Sequence, residues 1–173
     1  MRLNTKRLTL IPLDTIDEDL FHSTNIDPFV RKYLWDNQEI SKSISVEILK
    51  EVESKFLEEQ WGLWKIIHSL HGEYMGYVGF WRFFDEPQPQ LLYALLPIHT
   101  GNGFATEASR AVIKYAFEVL NFDYLIASMD KPNEASIQVC RRLNMDLVDD
   151  KLIEGKLTLF FRINKTPNRI KHV

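Results

Sequence analysis

The sequence predicts an α+β domain, a mixed and mostly antiparallel central sheet flanked by helices. Three observations predict it. Two β-rich runs, GLWKIIHSL at 62–70 and YMGYVGFWRFF at 74–84, are separated only by His71, Gly72 and Glu73, the spacing of a hairpin. A continuous apolar run at 91–97, a helical pattern at 104–120 and a second apolar run at 123–130 then follow as a β-α-β unit. Strands and helices do not alternate regularly along the chain, as a doubly wound parallel sheet requires.

Each element has a local reason. RLTLIPL at 7–13 is apolar and β-branched, and Pro12 stands near its end, so a short strand is expected. Asp14 or Thr15 caps a helix reaching about Ser23. Residues 26–45, with Pro28 and the sequence KYLWDNQEIS, are expected to be irregular. From Ser45 onward Val46, Leu49, Val52, Phe56 and Leu57 recur at helical spacing with charges between them, an amphipathic helix. The hairpin follows. The loop DEPQPQ at 85–90 cannot continue a strand through its prolines. LLYALLP at 91–97 reads as a strand covered on both faces. On the next helix Phe104, Ala105, Ala108, Val112, Tyr115, Ala116 and Val119 form one apolar stripe, with Glu107, Arg110, Lys114 and Glu118 largely opposite and Asn121 as the stop. DYLIASMD at 123–130 is a buried strand, Asn133 caps a helix to about Leu143, and 146–150 and 156–164 are two strands joined around Glu154 and Gly155.

Bulk composition narrows the function classes. A chain of 173 residues suits one domain over 1–173, with its core at about 5–164 and a basic tail at 165–173. A net charge of −3 carries no broad basic footprint for nucleic acid. The single cysteine, Cys140, allows no internal disulfide and no cysteine pair for a metal, so no metal is expected and a reducing, cytoplasmic setting is. The basic N-terminus has no long apolar stretch behind it, so it does not read as a signal peptide, and no run approaches the roughly 20 apolar residues of a membrane span.

The most informative stretch is PIHTGNGFATEA at 97–108. Gly101 and Gly103 flank Asn102 directly after a buried strand and directly before a helix. A plain turn explains this. So does an anion site, because such a loop can turn consecutive N–H groups inward where the first helical amides have no acceptor. It is neither a dinucleotide fingerprint, for want of a third glycine, nor a Walker loop, for want of Gly-Lys-Ser/Thr.

LLYALLPIHTGNGFATEASRAVIKYAFE resembles the acetyl-CoA-binding core of the GNAT superfamily of N-acetyltransferases, whose loop reads Gln/Arg-x-x-Gly-x-Gly/Ala. Thr100, Gly103 and Ala105 fill those slots, so Thr100 replaces the usual Gln or Arg. RLTLIPL and GYVGFW resemble the opening and third strands of the branch that acetylates N-termini of ribosomal proteins. YLIASMDKPNEASIQVCRRLNM resembles its fifth strand and fourth helix, with Asn133 and Ser136 in the Asn-x-x-Ser slots. The resemblance spans roughly 5–164. It implies the GNAT fold, with the family's fourth and fifth strands splayed and pantetheine lying between them. It implies acetyl-CoA as cosubstrate, held by the backbone of Leu95 and Leu96, by the loop Thr100, Gly101, Asn102, Gly103, Phe104 and Ala105, and by Asn133 and Ser136.

The implied reaction is direct attack of a neutral amine on the thioester carbonyl. The family's helical tyrosine acid is replaced by Cys140, which leaves Cys140 or Ser136 as proton donors. Glu39, between the first two long helices, is the base candidate; Asp85, Glu86, His99 and His68 are weaker ones. Tyr33, Trp35 and Tyr93 are candidates for the acceptor pocket, with Phe29 and Leu34 nearby. The acceptor is a protein or peptide α-amine or else a small amine such as an antibiotic, polyamine or amino acid. A CoA-binding module without catalysis is a third reading. Related proteins suggest a homodimer.

Overall fold

The computed structural model describes residues 1–84 and 86–166. Asp85 and most of the basic tail lie outside the described residues. The chain runs β1 (Leu3–Asn4), β2 (Leu8–Pro12), a 3-10 turn, α1 (Glu18–Ile26), α2 (Pro28–Leu34), α3 (Lys42–Glu58), β3 (Leu63–His68), β4 (Tyr74–Trp81) and β5 (Gln90–Leu95). A 3-10 turn at Pro97–His99 then leads into α4 (Phe104–Glu118), β6 (Tyr124–Asp130), α5 (Glu134–Arg142), β7 (Asp146–Ile153) and β8 (Lys156–Asn164). This is the expected α+β architecture. Among the described residues no helix is long and apolar enough to cross a membrane.

The strands form two sheets. One has the order β1-β2-β3-β4-β5 and the other β6-β8-β7, every pairing antiparallel. The predicted hairpin is β3–β4, with Trp64 opposite Val78. β5 and β6 lie side by side without a ladder between them. Two side-chain bonds cross between them: the Gln88 side chain donates to the Tyr124 carbonyl, and the Ser128 hydroxyl donates to Gln90 Oε1 at 2.7 Å. Among the described residues no ladder joins Leu95 to the Asp130 end of β6, and the two sheets leave a gap between them there.

Apolar burial on both faces holds this frame. On one face Leu8, Ile66, Val78, Leu91 and Leu95 pack against Ala108 and Val112 of α4 and Ile137 and Cys140 of α5. On the other, Leu13, Tyr77 and Ala94 pack against Phe21 of α1 and Leu49 and Val52 of α3. Trp64 is fully buried and meets Phe56, Phe80 and Tyr115 edge-on at 4.7, 6.0 and 5.6 Å, joining sheet to helices.

The segment expected to be irregular contains α2. Asp27 caps it by accepting from the Phe29 amide at 2.8 Å, and Pro28 occupies its first position. A proline there starts a helix instead of breaking one, since its missing N–H would have no partner anyway.

Candidate active site

The site lies at the open end of the gap. Ladder parity decides which backbone groups face it. The Leu96 amide donates to the Met75 carbonyl at 3.0 Å, and the Leu96 carbonyl accepts from His99 at 3.0 Å. Leu96 is therefore the hydrogen-bonded partner of Met75, and alternation turns the N–H and C=O of Leu95 and Tyr93 away from β4, toward β6. Of the two leucines named from sequence, Leu95 has its polar groups facing the gap, and those of Leu96 already have partners.

Beyond Leu95 the chain makes its 3-10 turn and enters the glycine loop. Gly101 and Gly103 both have φ of +78°, the left-handed region that side chains disfavour, and Gly103 is the α4 N-cap with no side-chain cap bond. Thr100 turns inward: its amide and hydroxyl both donate to the Pro97 carbonyl, at 3.1 and 2.8 Å. The first α4 bond runs from the Glu107 amide to the Gly103 carbonyl. Among the described residues the amides of Gly101, Asn102, Gly103, Phe104, Ala105 and Thr106 have no acceptor. The Thr106 hydroxyl is buried and also without a partner. These donors converge at a helix N-terminus and suit the oxygens of a phosphate ester.

A groove of about 810 Å³ runs below the loop, and it is basic: Lys6, Arg7, Arg110, Lys114 and Arg142 line it. The sequence reading missed it. It placed Arg110 and Lys114 opposite the apolar stripe of α4, and the other cations come from the turn before β2 and from α5, far away in the chain. Their four-residue spacing on the helix that opens at the loop was the available signal.

Arg7 is built into the loop. Its Nε donates to Glu107 Oε2 at 2.6 Å, its amide to Oε1 at 2.9 Å, and its guanidinium to the Asn102 carbonyl at 3.1 Å while stacking over Phe104 at 4.3 Å. Thr5 donates a further bond to Glu107 at 2.6 Å. Burial alone would raise the Glu107 carboxyl, but the bonds from Thr5 and Arg7 outweigh it and hold the group below the usual carboxylate range. A folded value below the unfolded one means that stability is present above about pH 4.3 and is lost as pH falls through the folded value. Glu107→Gln is expected to lower the thermal midpoint at pH 7 by about 2–6 °C, with Arg7 discounted for its exposure. In melts at stepped pH the gap to wild type should close under acid; a gap of constant size would contradict this role.

The remaining sequence-named residues sort by contact. Asn133 caps α5, its side-chain oxygen accepting from the Ser136 amide at 3.2 Å. Cys140 is fully buried, and burial pushes its thiol up to about 12. The Tyr93 hydroxyl is buried with Ser136 and Cys140 as polar neighbours. Tyr33 donates to the Pro132 carbonyl at 3.2 Å, and Trp35 donates to Asn25 at 2.8 Å. Glu39 is ion-paired with Arg31 and largely exposed. His99 is buried and points at Glu73, 3.7 Å away, and His68 stacks on His71. Among the described residues no cluster of His, Cys, Asp or Glu is placed to hold a metal.

Two sheets splayed at β5 and β6, with an unbonded amide loop at the mouth of the gap, define the acyl-CoA N-acyltransferase fold. Residues 7–146 match the family described as acetyltransferase (GNAT) domain, and the chain belongs to that family as a GNAT N-acetyltransferase. It is 30% identical over 160 residues, 90% of each chain, to the uncharacterized N-acetyltransferase p20 of Bacillus licheniformis. It is 37% identical to the spermidine N(1)-acetyltransferase of Escherichia coli K12 over 68 residues, 39% of this chain and 33% of that one. Its fold is similar to that of RimL, a ribosomal L7/L12 α-N-protein acetyltransferase in complex with coenzyme A, with a TM-score of 0.76 at 17% identity over 95% of this chain and 98% of that one.

Proposed function

We propose that the protein moves the acetyl group of acetyl-CoA to the N-terminal α-amine of a protein or peptide. The glycine-loop amides, Thr106 and the basic groove would take the phosphates, and the Leu95 backbone the pantetheine arm. Thr100 in the usual Gln/Arg slot costs little, because the remaining donors are backbone amides. Bound acetyl-CoA supplies an activated carbonyl; the chain supplies position and a dry wall on one side.

The observation carrying the acceptor assignment is a second groove of about 770 Å³ beside the Asp130 end of β6. Tyr33, Asp36, Asp130, Pro132 and Gly155 line it together with Lys32, Lys131 and Lys156. Most of this lining is exposed, so the groove is an open trough that admits a chain end. Asp36 already holds Lys156, which leaves Asp130 to face two further lysines. Such a balance repels a polyamine and suits an α-amine followed by acidic residues. The likeness to RimL supports the same branch; the spermidine enzyme speaks for a small amine, over a shorter match.

The amine must lose a proton to attack. Glu39 is already engaged by Arg31, and solvent water carries the proton away. A reducing cytoplasmic setting fits the free Cys140 thiol.

The test is acetyl-CoA with three acceptors: a peptide with an acidic stretch behind a free N-terminus, the same peptide with a blocked N-terminus, and spermidine. Thiol release and a mass gain of one acetyl group on the free peptide alone is the expected result. Transfer to spermidine alone would move the assignment to small amines. Binding without transfer to any acceptor would make the chain a CoA-binding module.

A further inference from the structure

Resting on the acetyl-transfer reading, we propose that Tyr93 is a catalytic residue whose phenolic hydroxyl donates a hydrogen bond to the sulfur of the departing coenzyme A thiolate. Three observations converge on it. Strand parity places the Tyr93 backbone at the gap-facing edge of β5, two residues before Leu95. The alternation of side chains places its ring on the α4–α5 face, packed against the core that contains Leu91, Leu95 and Cys140. At the end of that ring the hydroxyl is buried and makes no hydrogen bond among the described residues, with Ser136 and Cys140 of α5 beside it.

A buried hydroxyl without a partner destabilises a fold unless something else completes it. Phenylalanine fills the same space without that penalty, so packing alone gives no reason for the oxygen. The oxygen sits between β5 and α5, on the face opposite α1 and α3. Its neighbours serve the task less well: Cys140 is a weak donor, and Ser136 is only half-buried.

In the reaction the amine lone pair forms the new C–N bond, and the C–S pair moves onto sulfur. The amine proton leaves to water. Burial raises the Tyr93 phenol above its ordinary range. The proton therefore stays on the phenol oxygen, and Tyr93 stabilises the thiolate by a hydrogen bond without surrendering the hydrogen. The thiolate takes its own proton from solvent on release.

Tyr93→Phe tests this with readouts beyond turnover. The expected kcat falls about 10- to 100-fold, while the acetyl-CoA Kd by calorimetry stays within about twofold of wild type. The thermal midpoint stays at or above that of wild type, because the change removes an unpaired buried hydroxyl. The thiol of bound free coenzyme A, followed by thiolate absorbance, ionises at higher pH in the variant; the high value of Cys140 keeps that thiol out of the signal. An unchanged kcat or an unchanged thiol titration overturns the inference, and a midpoint several degrees lower marks the hydroxyl as structural and overturns it too. A wild-type protein that transfers acetyl normally beside an equally active variant sinks Tyr93 alone. A wild type that neither binds acetyl-CoA nor transfers sinks the underlying reading with it.

Discussion

Gly103→Asp is expected to weaken acetyl-CoA binding at least about 100-fold, a loss near 2.7 kcal/mol, with the fold retained. The residue sits at φ +78°, where Asp is tolerated at modest cost, and a Cβ there meets no heavy atom nearer than Arg7 at 3.7 Å. The protein therefore accommodates the side chain; the ligand does not. A carboxylate at the α4 N-cap occupies the space toward which the loop amides point and repels a pyrophosphate. Gly103→Asn is the control, because it brings the same bulk and the same backbone demand without the charge. It should retain an intermediate affinity. Calorimetry on all three proteins, with melts to confirm folding, checks this; an Asp variant that binds within about tenfold of wild type would contradict the loop's role.

Asn25→Leu is expected to have the largest effect on stability. Asn25 is fully buried, and its Oδ1 accepts from the Tyr77 hydroxyl and the Trp35 indole, both at 2.8 Å, while its amide donates to the Phe21 carbonyl at 2.8 Å. Leucine removes all three bonds and leaves the Tyr77 hydroxyl in the core without an acceptor. The expected loss is about 3–5 kcal/mol, or roughly 10 °C in midpoint. The indole also anchors the end of α2, whose Tyr33 lines the acceptor groove, so KM for the amine should rise more than the acetyl-CoA Kd. A variant with equal rises in both, or with no loss of stability, would show that Asn25 does not support the groove.

What the sequence discloses here follows the range of the physics involved. The β3–β4 hairpin, α4 and the Gly-Asn-Gly loop were legible because periodicity and turn chemistry act over a few residues. The α2 helix was hidden because Pro28 was read as a breaker, when Asp27 before it makes the pair a start signal. The basic groove was hidden because Arg7, Arg110 and Arg142 converge only after three distant stretches of the chain pack together. The parity that separates Leu95 from Leu96 depends on the Met75–Leu96 bond, which no local pattern reveals. The orphaned hydroxyl of Tyr93 is the same kind of fact: the strand was legible, but the lack of a hydrogen-bond partner at one oxygen was not.

The central claim is that acetyl-CoA lies along the β5 edge with its phosphates on the glycine-loop amides. Backbone amide NMR during titration with acetyl-CoA tests it most directly. The account predicts saturable shifts at Leu95 and at Gly101 through Thr106, and slowed hydrogen exchange at the same amides. Saturable binding that leaves these amides unmoved, or the absence of binding, would contradict it.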